Sequence, residues 1–151
     1  MMLTVEEILA LVPQQAPFRF IDDILEVDEE GIIGQYTYKH DESFYAGHFP
    51  GNPVTPGVIL LETMAQTGVV AFGLYLLSAQ LDKEGLMQYV TLFSDAQVEY
   101  FKPVYPGDTV TIKAKKVFWR RMKLKAQVEM FNQAGELISS CVISGMGVKQ
   151  S

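Results

Sequence analysis

The sequence predicts an α+β domain in which an antiparallel β-sheet wraps around one long buried helix, and three observations carry that prediction. Residues 57–77, GVILLETMAQTGVVAFGLYLL, run for 21 positions with Glu62 as the one acidic or basic side chain. Two later segments alternate with period two. Val110, Ile112 and Ala114 oppose Lys113 and Lys115, and Leu124, Ala126, Val128 and Met130 oppose Lys123, Lys125 and Gln127. Alternation of this kind marks antiparallel strands with one wet face. Between the first elements and the apolar run, residues 43–57 hold three prolines and three glycines among aromatic neighbours. That composition rules out a helix or a central strand and describes a stiff loop held against the body of the protein.

The elements follow in order. Thr4-Val5-Glu6-Glu7 has capping-box spacing, and Ile8, Leu9, Leu11 and Val12 continue a short helix that ends near Pro13. Pro17-Phe18 opens an extended run, FRFIDDILEV; Asp28-Glu29-Glu30-Gly31 turns the chain, and IIGQYTYKH pairs back as a second strand. The apolar run makes a helix of about 30 Å. Glu62, Thr63, Gln66 and Thr67 inside it, with no basic flank, argue for a core helix over a membrane span. Ala65, Gly68, Ala71 and Gly73 allow close backbone approach, while Leu61, Met64, Phe72 and Leu76 supply volume. After a polar connection at 78–85, four extended segments are expected at 88–105, 108–119, 123–131 and 137–148, with turns at Tyr105-Pro106-Gly107-Asp108 and Asn132-Gln133-Ala134-Gly135.

At 151 residues this is one domain, 1–151, long enough to bury a core without metals or disulfides. Cys141, the single cysteine, lies in SSCVISGMGV and reads as a core thiol. One cysteine and two histidines assemble no metal site. A net charge of −6 argues against nucleic acid as a partner, and the acidic opening has no secretory signal, so a cytoplasmic protein is expected. Seven of the twelve basic residues nevertheless fall between Lys113 and Lys125. Arg120, Arg121 and Lys123 in that cluster are either an ordinary wet hairpin face or a dock for an acidic partner.

His48 on the stiff loop and Glu62 one turn into the helix are the candidate acid/base pair. Each alone reads better as a structural polar group; together, facing one apolar pocket, they suit proton transfer. The helix start at Pro56-Gly57-Val58 offers unpaired N–H groups and the positive dipole end, which hold a carbonyl oxygen gaining negative charge. Gln66, one turn beyond Glu62, shares its face and can orient its carboxylate.

The run from Gly47 to Gln66, GHFPGNPVTPGVILLETMAQ, resembles the signature of the single-hotdog (3R)-hydroxyacyl-acyl-carrier-protein dehydratases of the FabZ type. Likeness continues at Pro17-Phe18, Ile21-Asp22, Phe101-Lys102-Pro103-Val104 and Pro106-Gly107-Asp108. The resemblance implies a hotdog fold and a homodimer with sheets joined edge to edge, often assembled into a trimer of dimers. Its site spans the dimer interface, histidine from one subunit and glutamate from the other, with no cofactor or metal. It also implies roles. His48 removes the C2 proton, Glu62 protonates the departing C3 hydroxyl, and the amides of Gly57 and Val58 polarise the thioester. Phe49, Val58 and Leu61 line the acyl tunnel, and the substrate arrives on the 4'-phosphopantetheine arm of acyl carrier protein. The rival functions are a hotdog thioesterase and a non-catalytic partner or acyl-binding subunit.

Overall fold

The computed structural model describes residues 2–150. Helix α1 spans Val5–Leu11, and the Thr4 hydroxyl accepts from Glu7 N while the Glu7 carboxylate accepts from Thr4 N, so both halves of the capping box form. Strands β1 (Asp23–Val27) and β2 (Gly31–Thr37) make the expected hairpin, with a bulge at Ile24/Glu26. The central helix α2 runs Gly57–Leu77. A short helix α3, Lys83–Leu86, follows, and then β3 (Tyr89–Tyr100), β4 (Thr109–Arg120), β5 (Lys123–Phe131) and β6 (Leu137–Lys149). All six strands form one antiparallel sheet in the order β1-β2-β4-β5-β6-β3.

The apolar phase of β4 and β5 faces the helix as expected: Val110, Ile112, Leu124, Ala126, Val128 and Met130 are buried, together with Met64, Ala65, Val69, Val70, Ala71 and Phe72 of α2. Burial of most of α2 inside the sheet marks it as a core helix. The Cys141 thiol lies in that core beside the Met64 sulfur at 3.9 Å, and burial pushes its pKa up to about 12, so it is a structural thiol.

Three details depart from the sequence-based expectation. The strand expected from Pro17 begins only at Asp23, because the Phe18 carbonyl and the Phe20 amide are bonded to the Gln66 side chain, outside any strand ladder. The strand expected to reach Tyr105 ends at Tyr100, where the Phe101 and Lys102 amides both turn onto the Ile138 carbonyl and Pro103 has no N–H to offer. The polar connection contains α3, capped by the Asp82 carboxylate accepting from Gly85 N and tied to α1 by a Lys83–Glu7 ion pair.

Mid-way along α2, Gln66–Ala71 widens into a π turn, which no residue pattern announced. Gly68 lies in it for a packing reason. A Cβ there would sit 2.7 Å from Val128 Cγ2 and 3.3 Å from Ala114 Cβ, whereas at Gly73 the nearest atom would be 4.0 Å away. The two glycines therefore separate. Gly73→Ala is expected to raise the melting temperature by a few degrees, reflecting about 1 kcal/mol of recovered helix propensity. Gly68→Ala is expected to lower it despite the same propensity gain, since the branched Val128 side chain has little room to yield. Thermal unfolding of the two variants checks both signs.

Candidate active site

His48 lies in the stiff loop between β2 and α2, and the backbone around it is paired. His48 N donates to Phe44 O at 3.1 Å, and Val54 N donates to His48 O at 3.0 Å. The ring nitrogen Nδ1 is 2.8 Å from the Val54 carbonyl. A carbonyl only accepts, so the bond places a proton on Nδ1 and leaves the Nε2 lone pair of the neutral ring free to act as a base. The Phe49 ring stacks on the imidazole at 4.1 Å between centroids and is itself half exposed.

Glu62 occupies the second turn of α2, partly buried, and its carboxylate is held by Gln66 as the i,i+4 spacing suggested: Gln66 Nε2 donates to Glu62 Oε2 at 2.9 Å. Gln66 is wholly buried and has no freedom to flip. Its Oε1 accepts from Phe20 N at 2.7 Å, and its Nε2 also donates to Phe18 O at 3.0 Å. Because the Phe20 N–H must meet oxygen, nitrogen must face Glu62. Gln66 thus occupies Oε2 as an acceptor and leaves Oε1 without a hydrogen-bond partner among the described residues. Burial pushes the Glu62 pKa up, opposed in part by the Gln66 bond. Burial thus favours the neutral form of the carboxyl.

At the start of α2, Ile59 N and Leu60 N both return to the Pro56 carbonyl. The Gly57 and Val58 amides lie ahead of that pairing, at the positive end of the helix. Sequence reasoning missed what covers this turn. The Tyr100 ring packs on Gly57 so closely that a Cβ there would lie 3.0 Å from it, and the Tyr100 hydroxyl donates to Gly57 O at 2.8 Å. No local pattern links two residues 43 positions apart. The recess beside the turn is lined by Thr55, Gly57, Leu60, Tyr100, Phe101, Lys102 and Pro103, and neither His48 nor Glu62 enters it.

Glu62 and Gln66 are brought together, and no hydrogen bond or ion pair joins His48 to Glu62 among the described residues. Val58 points outward at 71% exposure and Leu61 is partly buried. Along β3, which is a sheet edge, Leu92, Phe93 and Tyr100 are exposed as well. Of the basic cluster, Arg120 lies over the Phe118 ring, Arg121 and Met122 form the β4–β5 turn with positive φ, and Lys123 opens β5. Lys116 lies 3.8 Å from Glu30, while Arg120, Arg121 and Lys123 sit together around the hairpin tip.

Comparison with known proteins adds independent information. The FabA-like domain model matches residues 12–140. A 3-hydroxyacyl-acyl-carrier-protein dehydratase FabZ from Syntrophobacter fumaroxidans is 33% identical over 150 residues, covering 99% of this chain and 97% of that protein. The FabZ of Roseiflexus sp. (strain RS-1) is 38% identical over 115 residues, 76% of each chain. Among solved structures, the dehydratase heterocomplex ApeI:P from Xenorhabdus doucetiae superposes with a TM-score of 0.77 over 95% of this chain and 91% of that one at 13% identity, a likeness of fold.

Proposed function

The chain belongs to the FabA-like domain family as a FabZ-type hotdog dehydratase, a hydro-lyase of fatty-acid synthesis, and we propose that His48 and Glu62 perform its chemistry on a (3R)-hydroxyacyl group carried by acyl carrier protein. His48 Nε2 takes the proton from C2. The thioester oxygen, gaining negative charge, rests against the Gly57 and Val58 amides. The C3–O bond breaks as Glu62 Oε1 gives its proton to the departing hydroxyl, which leaves as water, and the electron pair from C2 forms the trans C2=C3 bond. Proton exchange with solvent then returns imidazolium and carboxylate to base and acid. One observation carries this reading: a carboxyl whose pKa is pushed up by burial, and which a fixed Gln66 holds at one oxygen, suits proton donation.

The two residues come from different subunits in this reading, with a second copy pairing along β3 and covering Phe49, Val58 and Leu61 to make the acyl tunnel. Exposed apolar side chains on an open sheet edge support it. Arg120, Arg121 and Lys123 attract the acidic carrier, and the protein works in the cytoplasm without cofactor or metal. Mass spectrometry of products from a (3R)-hydroxyacyl carrier-protein series tests the assignment. Enoyl product with loss of water is expected, and free acid would move the assignment to a thioesterase. In the same assay, Arg120→Glu with Arg121→Glu is expected to raise KM and flatten its salt dependence. Unchanged values would remove the docking role.

A further inference from the structure

The loop that carries His48 is closed by a side-chain contact the reaction itself does not use. Tyr45 and Thr55, near the two ends of the loop, are both 5% exposed, and their hydroxyls lie 2.6 Å apart. His48 is held between them through Val54, which donates its N–H to His48 O and accepts the Nδ1 proton on its carbonyl. Val54 is joined directly to Thr55, whose own N–H donates to Val104 O at 2.8 Å. Pro53 and Pro56 flank this pair, so a displacement at Thr55 is passed to Val54 rather than absorbed by backbone rotation. Tyr45 reaches back on the other side, its carbonyl accepting from His48 N at 3.3 Å.

We propose that Tyr45 and Thr55 are positioning residues: their buried hydrogen bond sets the Val54 carbonyl against His48 Nδ1, holding the proton there and the Nε2 lone pair toward substrate. The proposal rests on His48 being the base. Removing the Thr55 hydroxyl leaves the Tyr45 hydroxyl buried and unpaired, and the loop relieves this by shifting. Val54 moves with it. Once its acceptor is displaced, the imidazole no longer has one preferred tautomer, and the fraction with a free Nε2 lone pair falls. An error of about 1 Å at a reacting group lowers rates by as much as ~10²-fold.

Thr55→Val, Thr55→Ser and Tyr45→Phe in the full chain test this. Thr55→Val is expected to lower kcat about tenfold with KM within about twofold, and Thr55→Ser, which keeps the hydroxyl, is expected to recover most of the loss. Nitrogen-15 NMR of imidazole-labelled protein reads the tautomer without any turnover. The chain has two histidines, so His40→Gln identifies the His48 signals. Nδ1–H is expected in the wild type and a mixture of tautomers in Thr55→Val. Tyr45→Phe breaks the same bond from the other side and serves if Thr55→Val does not fold. Wild-type kcat and tautomer in these variants, or equal losses in Thr55→Val and Thr55→Ser, would overturn the proposal. Full activity in His48→Ala would instead defeat the base assignment, with the tautomer measurement still reporting on the positioning bond.

Discussion

Glu62→Gln is expected to lower dehydration turnover by roughly 10²–10⁴-fold, the contribution of a positioned general acid, while leaving the protein at least as stable as the wild type. Glutamine preserves volume and still offers an oxygen to Gln66 Nε2, so Phe18 and Phe20 keep their partners and the helix start is undisturbed. Only the transferable proton is gone. The stability sign follows from the raised pKa. A carboxyl whose folded pKa lies above its unfolded value binds more protons folded than unfolded, so stability falls as pH rises between the two values. Glutamine removes that loss, and the melting temperature at neutral pH should hold or rise. Activity of the wild type should fall on the alkaline side as Glu62 ionises, and the residual activity of the variant should lack that limb. A pH–rate series with thermal unfolding of both proteins measures all three effects; turnover near the wild-type level in Glu62→Gln would remove Glu62 as the acid.

His48→Ala is expected to be as inactive as Glu62→Gln, yet co-assembling the two dead variants should restore about a quarter of wild-type activity. Random pairing of equal amounts places one of each chain in about half of the dimers, and in each mixed dimer one of the two sites holds an intact histidine and an intact glutamate. The expectation comes from the proposed two-subunit site that the family resemblance implies, and the contacts within one chain are compatible with it. His48 reaches the Val54 carbonyl and Glu62 reaches Gln66, and no hydrogen bond or ion pair joins them. Phe49 and Val58 next to them present apolar surface outward. Native mass spectrometry counts the mixed dimers, and their presence without recovered activity would place the whole site inside one chain.

Several site contacts were legible because they are local. Gln66 stands four residues from Glu62 on one helix, and helical spacing alone brings the amide to the carboxylate. The capping box at Thr4 and Glu7 and the alternation of β4 and β5 are likewise short-range rules obeyed by the fold. Other partners of the same residues were out of reach. Gln66 also binds Phe18 and Phe20 from nearly fifty positions away, and that long-range bond is what cut the first strand short at Asp23. Tyr100 on the Gly57 carbonyl belongs to the same class, and the hydroxyl pair of Tyr45 and Thr55, ten residues apart in a loop, follows no spacing rule either.

By itself, the sequence determined the order of elements, the long apolar helix as the centre, and the period-two faces of the sheet. These follow from side-chain periodicity, proline and glycine punctuation and capping chemistry, all of which act over a few residues. Only the tertiary structure decided which oxygen of Glu62 is engaged by Gln66 and which nitrogen of His48 faces a carbonyl. Those choices depend on where single donors and acceptors from distant segments converge: the Phe20 amide on Gln66, and the Val54 carbonyl on the imidazole. A hydrogen bond is directional over tenths of an ångström, so its consequences appear only once the chain has closed around it.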